Sequence, residues 1–403
     1  MNGDSVWRVL RSCVAPVYYP VGAVLLGAGI LLPVLPLYLI DQEVSLSLVG
    51  LITAGGGIGA FIIGVPAAAV TERLGNDATL FISVAIAAVA VLVFPLTSIA
   101  LVLLALRVVA GFGLGAMFQT RALYLSRNVA TEYRGRASSF MGGTNRLAFV
   151  VGPIVGGWIA DRWSYAAAFT LSGLVTAAAL FWLLLPGGPE DADVAPVERV
   201  SIAPALRRHR GTLIRGGVGS LLILGAREGR FVLVPLIADQ FELSNSEIGL
   251  IVAVGTGIDF ACFPIAGWIM DRFGRLYSIV PFFTLMAIGL IMLGRADSVS
   301  GIVVASMVMG VGNGLTSGTM LTLATDLAPS DGQGPFIAGM ILMGNSGLFV
   351  GPLVVGWLGD VAGLDWSAYG LAAILLAGVL WMAFMVGETH AGRQREPKRT
   401  TAT

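Results

Sequence analysis

Leu221–Pro235 reads LLILGAREGRFVLVP, and the chain is best understood outward from it. Arg227, Glu228 and Arg230 stand in the middle of an otherwise apolar run from about residue 216 to 238. An apolar run of about 20 residues is long enough to cross roughly 30 Å of hydrocarbon as a helix. Each charge at the centre of such a helix costs about 2.5–3.5 kcal/mol on insertion scales. Charges persist there when they pair with one another or face a polar cavity. The stretch therefore reads as a spanning helix whose charged face meets protein or a cavity.

The bulk composition agrees. Of 403 residues 56% are hydrophobic and 12% charged, against about 25% charged in a soluble domain. Mean hydropathy is +0.86, which fits an integral membrane protein. The 54 glycines suit close helix packing in lipid, where small residues let backbones approach. Acids and bases number 24 each, so no net charge draws the chain to nucleic acid. Lys398 is the only lysine, so every basic group inside a span is an arginine that must be satisfied as a cation. Cys13 and Cys262 lie far apart, and His209 and His390 sit in polar segments, which predicts no disulfide framework, metal or cofactor. A nucleotide loop, a nucleophile elbow and a metal cluster are all missing from the sequence, so no enzyme is predicted.

Twelve apolar runs follow one another, at 17–40, 45–68, 78–97, 99–125, 137–160, 164–186, 213–238, 246–268, 276–294, 299–325, 335–358 and 366–387. They are numbered here as spans 1 to 12. Residues 1–186 form a first six-helix bundle and 212–388 a second. A polar linker over 187–211 joins them, and a basic tail over 389–403 reads as disordered. The first span reads as uncleaved, without a small-residue site ahead of it. Arg8, Arg11, Arg73, Arg127, Arg134, Arg136, Arg199, Arg207, Arg208, Arg210, Arg272, Arg275 and the basic tail fall on one side, whereas the loops opposite hold only Arg162 and Arg295. That bias puts both termini in the cytoplasm of a multi-pass plasma-membrane protein.

The two halves repeat at an offset of 199 residues. Pro36 matches Pro235, Gly50-Leu51-Ile52 matches Gly249-Leu250-Ile251, and Glu72-Arg73-Leu74-Gly75 matches Asp271-Arg272-Phe273-Gly274. Gly111, Gly152-Pro153 and Gly157-Trp158 match Gly310, Gly351-Pro352 and Gly356-Trp357. Parallel six-span repeats about an axis along the membrane normal mark one transporter architecture.

The motifs make this specific. The loop between spans 8 and 9 reads Gly267-Trp268-Ile269-Met270-Asp271-Arg272-Phe273-Gly274-Arg275. Span 4 begins Arg107-Val108-Val109-Ala110-Gly111-Phe112-Gly113, and span 5 carries Gly152-Pro153-Ile154-Val155-Gly156-Gly157. With these the chain resembles the major facilitator superfamily over essentially its whole length, and its 12-span drug:proton antiporter-like group in particular. The first loop copy departs from the pattern, with Ala68 for glycine, Glu72 for aspartate and Asn76-Asp77 for the basic pair; upstream of Gly152, Ser139 and Ala148 replace glycines. The resemblance implies an all-α membrane fold of two pseudo-symmetric six-helix bundles. Spans 4, 5, 7 and 8 then line or flank a central cavity, while spans 3, 6, 9 and 12 face lipid.

Candidate residues follow from both readings. Glu228 and Asp259 are candidate proton carriers. Arg107, Arg146, Arg227 and Arg230, with Gln119, Asn145, Asn313 and Asn345, are candidate substrate contacts or charge partners in the cavity. The same arginines could instead form an anion site, or a fixed ion-paired network tying spans 7 and 8 together. By resemblance Glu72, Arg73, Gly75, Asp271, Arg272, Gly274, Arg275 and Asp326 form a cytoplasmic latch for the outward-facing state. Gly111, Gly152, Pro153, Gly157, Gly351 and Pro352 are expected to serve helix packing. The leading functional expectation is proton-coupled export of small amphiphilic compounds by alternating access. Organic-anion transport is the alternative, and a non-transporting membrane sensor or scaffold is the alternative of another class. The expected partners are a small-molecule substrate, protons and the bilayer, with the chain a monomer.

Overall fold

The computed structural model describes residues 3–64, 66–183, 207–316, 318–329 and 332–389, and nearly all of them are helical. The expected linker up to residue 206 and the expected tail from residue 390 lie outside the described residues. Span 1 is Tyr19–Asp41, entered through the turn Val14–Tyr18; span 3 is Asn76–Val93, span 4 Ala100–Asn128, span 5 Thr131–Arg162 and span 6 Tyr165–Leu183. Span 7 is Arg210–Asp239, span 8 Asn245–Arg272, span 9 Leu276–Gly294 and span 12 Leu364–Trp381. Two spans come in two pieces, Val299–Gly314 with Thr319–Leu327 (span 10) and Gln333–Asn345 with Gly347–Ala362 (span 11), and span 2 is described over Leu46–Gly64 and Pro66–Leu74.

Among the described residues, nine of these spans are long and apolar enough to cross a membrane by length and composition. Spans 5, 6 and 7 are not among the nine: Asn145-Arg146 and Arg227-Glu228-Arg230 interrupt the apolar interiors of spans 5 and 7, and span 6 is apolar but shorter. Gly225 and Gly229 leave span 7 as one unbroken helix. Gly225 instead receives Gly351 of span 11, where a Cβ would lie 2.0 Å from the Gly225 carbonyl oxygen. Gly111 of span 4 meets Gly56 of span 2 as closely, and Gly152 of span 5 meets Gly29 of span 1. Pro153 and Pro352 lie inside their helices one residue beyond these contacts.

The repeat is visible in the turns. Glu43 and Glu242, 199 residues apart, both hold φ at +56°, a region few non-glycine residues occupy. Spans 3, 6, 9 and 12 pack within their own half, apart from a Tyr165 hydroxyl that donates to Asn245 Oδ1 at 2.9 Å. The halves meet through spans 2 and 11 and through spans 5 and 8. Those contacts include the end of the molecule away from the chain termini, called the far end below. Asp161 accepts from the backbone N–H of Asn245 and Ser246 at 2.9 and 2.7 Å, and Asp360 accepts from Leu46 and Ser47 at 2.9 Å each. Each carboxylate thereby caps the first turn of a helix in the other half. A Cβ on Gly157 would strike the Asn245 carbonyl at 2.2 Å, so only glycine lets span 5 come this near to span 8. Pro66–Leu74 and Thr319–Leu327, at the terminus-bearing end, pack against neighbours in their own half.

That end holds a fully buried cation. Arg121 of span 4 donates from its guanidinium to the Pro16 carbonyl at 2.6 Å and towards the Asn76 carbonyl at 3.5 Å, and lies over the Tyr124 ring. It ties the entries of spans 1 and 3 to span 4. Arg121→Leu removes the guanidinium that the Pro16 and Asn76 carbonyls share, at about 1–3 kcal/mol for a buried group left unmatched. Its apparent melting temperature in detergent is expected to fall by several degrees, with Arg121→Lys recovering only part, since an ammonium lacks the planar fork.

Candidate functional site

The charged residues of spans 5, 7 and 8 converge at mid-height on Asp259, which is buried. Asn313 Nδ2 donates to Asp259 Oδ2 at 2.5 Å, Arg146 Nε lies 3.5 Å from Oδ1, and an Arg230 terminal nitrogen lies 3.8 Å from Oδ2. Arg227 reaches Asp259 only through Asn313, donating from Nε to Asn313 Oδ1 at 2.8 Å. Local chain geometry explains the convergence. Arg227 and Arg230 are three residues apart and share a helix face. Span 10 breaks just after Asn313, and Gly314 lets it close on span 8, because a Cβ there would sit 2.5 Å from the Cys262 Cβ. The Arg146 guanidinium stacks over Phe263 at 4.5 Å, and that of Arg230 over Phe231 at 4.8 Å.

Beside this cluster lies a cavity of about 380 Å³, lined by Asn145, Arg146, Phe149, Arg227, Thr256 and Asn313 among others. A second lobe of about 240 Å³ shares Phe231 and Thr256 with it and reaches Arg230 and Ser306. Glu228 is half-buried and rotated about 100° from Arg227 along the helix. Its charge interacts with those of Arg227, Arg230 and Arg107, the last across the two halves. Among the described residues it makes no hydrogen bond or ion pair. Arg107 lies against Gly56. Gln119 is exposed on span 4, and Asn345 is half-buried at the break in span 11; neither meets the cluster.

The loop residues separate. Arg275 Nε pairs with Asp326 Oδ2 at 2.8 Å, and a terminal nitrogen of Arg275 lies 3.8 Å from Asp271, whose side chain is 86% exposed, all within the second half. Arg272 stacks on Trp268 and Phe273, Arg73 is exposed, and Glu72 is half-buried. Gly75 and Gly274 take φ of +80° and +112°. At Gly274 a Cβ would also collide with the Glu388 carboxylate, which accepts from the backbone N–H of Arg275 and Leu276 and so caps span 9. Sequence reasoning missed Arg121, Glu388 and the capping roles of Asp161 and Asp360. For the last two, the one signal was that both occupy the same position of the repeat.

Comparison with known proteins accounts for this architecture. The sequence profile of the Major Facilitator Superfamily matches residues 21–229 and again 217–402, once per half. The quinolone resistance protein NorA of Staphylococcus aureus is 23% identical over 94% of this chain and 97% of its own. An MFS-type transporter of Methanocaldococcus jannaschii is 21% identical over 88% of this chain and 94% of its own. Among solved structures, a POT family transporter bound to a thioalcohol-conjugated peptide superposes with a TM-score of 0.75 at 15% identity, covering 93% of this chain and 95% of that one. A D-xylose–proton symporter gives 0.73 at 18% identity over 95% and 98%. With twelve helices in two related halves around a polar cavity, the chain belongs to the Major Facilitator Superfamily and is a multi-pass membrane transporter.

Proposed function

We propose that the chain exports small amphiphilic compounds against an inward proton flow, by rocking its two halves about the central cavity. The arginine bias supports placing both termini in the cytoplasm of the plasma membrane. In that orientation the far end faces outside, and the described state is closed there and loads from the cytoplasm. The rocking bodies are residues 1–186 and 212–388, joined by 187–211, with 389–403 as a cytoplasmic tail and the protein acting as a monomer. The loops around Arg73 and Arg272 would latch the opposite state.

One observation carries the proton-coupled reading. Asp259 is engaged by two guanidiniums and an amide, whereas Glu228 has cationic neighbours but no bonded partner among the described residues. A carboxyl so placed takes up or releases a proton without breaking a hydrogen bond, and arginines in both halves feel the change. Glu228 is therefore assigned the carrier role and Asp259 that of fixed counter-charge. The Gly152-Pro153 element of span 5 and the likeness to NorA support export as the direction. A second reading, transport of organic anions, is favoured by three guanidiniums gathered around one carboxylate.

In proteoliposomes with an imposed pH gradient, Glu228→Gln is expected to abolish gradient-driven accumulation while substrate exchange across the membrane persists. Undiminished gradient dependence in that variant would remove Glu228 from the coupling role.

A further inference from the structure

The charges lining the cavity do not balance. Arg146, Arg227 and Arg230 bring three guanidiniums to it, and Asp259 returns one carboxylate. Arg107 and Glu228, which interact with each other across the halves, offset one another. Two positive charges remain inside the spans, where an uncompensated cation is costly. Arg230 is only 4% exposed, yet its Nε and one terminal nitrogen have no hydrogen-bond partner among the described residues. Arg227 commits Nε to Asn313 and lines the larger lobe. The buried Asn145 Oδ1 is unpartnered too, and its amide can turn to donate instead. Donors thus outnumber acceptors around one space, and a guanidinium fork matches an oxyanion.

An acidic group alone does not suit export. Ionised Glu228 offsets part of the positive charge, so protonating it strengthens the hold on an anion. Proton and a purely anionic cargo would then bind together and travel together. Export against proton flow needs the reverse: proton uptake must expel the cargo. A basic group paired with ionised Glu228 supplies that, because protonation deletes the pair.

We propose that the cargo is a zwitterionic amphiphile. Its carboxylate or other oxyanion sits on Arg227 and Arg230, its basic group meets Glu228, and its apolar body lies on Phe149 and Phe231. The basic-group half rests on the proton-coupled export reading, and the oxyanion half stands without it.

The test titrates the full chain in lipid nanodiscs, by tryptophan fluorescence, with three matched probes: biphenylalanine, its methyl ester, and the deaminated 3-biphenylpropionic acid. The zwitterion is expected to bind roughly tenfold tighter than either relative. Arg227→Met should lower its affinity to that of the ester and leave the ester unchanged. Glu228→Gln should lower it to that of the acid. Lowering pH should weaken the zwitterion and strengthen the acid. An ester that binds as tightly as the zwitterion overturns the oxyanion seat, and an acid that does so overturns the basic-group contact. Failure of all three probes to bind overturns both. Arg227→Lys, which keeps the charge without the fork, guards against a misfolded Met variant and should give an intermediate loss. If Glu228→Gln retains gradient-driven transport while Arg227→Met still loses the zwitterion, the export reading fails and the oxyanion seat stands.

Discussion

Replacing Asp161 and Asp360 together with asparagine is expected to open the far end of the molecule. Each carboxylate accepts two backbone N–H groups at the first turn of a helix in the opposite half. The two clamps sit 199 residues apart and are related by the repeat. A charge at a helix N-terminus contributes about 0.3–1 kcal/mol when exposed, and its bonds to N–H groups add to that. Both aspartates are exposed on one side, so about 1 kcal/mol each is a fair discount for screening. Losing both charges then shifts the equilibrium by about 2 kcal/mol, or roughly thirtyfold. Spin labels at Gln42 and Val361, in a background with Cys13 and Cys262 replaced by serine, report the far-end distance. A longer-distance population should grow in the double variant and less in each single one. An unchanged distance distribution would show that the clamps do not hold the closed state.

The clamps also make a statement about pH. Burial raises the Asp161 carboxyl, but bonds from Ser246 and Asn245 outweigh it and hold it below the usual aspartate range. The Ser47 and Leu46 bonds likewise lower Asp360 against a smaller rise from burial. A lowered carboxyl contributes its stabilisation above the ordinary value and loses it as pH falls through the lowered one. Both clamps therefore stay charged through the neutral and mildly acidic range. The far-end distance should be flat from about pH 8 to pH 5 in the unaltered protein. Proton-driven opening, where it occurs, has to begin at another group.

What the sequence made legible, and what it hid, follows from the range of each interaction. Apolar run length and the 199-residue offset are local or periodic, and they gave the twelve helices and their pairing. The charges of span 7 announced themselves, because an arginine in an apolar run has no cheap explanation. Their partners did not. Span-level reading named an ion-paired network between spans 7 and 8 without its pairs: Arg146 and Arg230 meet Asp259, and Arg227 is held one step away by Asn313. That outcome depends on the break in span 10 and on Gly314, whose effect is a matter of helix approach in three dimensions. Arg121 lies towards the end of span 4, where no motif or repeat marks it. Its importance comes from two carbonyls 105 and 45 residues away.

The Asp259 cluster is where structural and transport roles can be pulled apart. Asp259→Asn removes the one carboxylate shared by Arg146 and Arg230, leaving two buried guanidiniums facing an amide. Removing one partner from a buried ion pair costs roughly 3–5 kcal/mol in soluble proteins, and less in lipid, where the unfolded reference also finds partners. A fall of several degrees in melting temperature in nanodiscs is the expected result, with transport lost alongside. Asp259→Asn combined with Arg230→Met should recover much of the stability, because the stranded cation leaves with its anion, and a double-mutant cycle measures the coupling. Transport should not recover, since Arg230 also faces the cavity. Glu228→Gln should lower the melting temperature less, as its carboxylate loses only electrostatic neighbours and no bonded partner among the described residues. Equal destabilisation by Glu228→Gln would instead make Glu228 part of the fixed network and leave the cavity without a mobile proton. A stable Asp259→Asn would mean that the arginines find a counter-charge elsewhere, and Glu228 is the acid within electrostatic reach of Arg230.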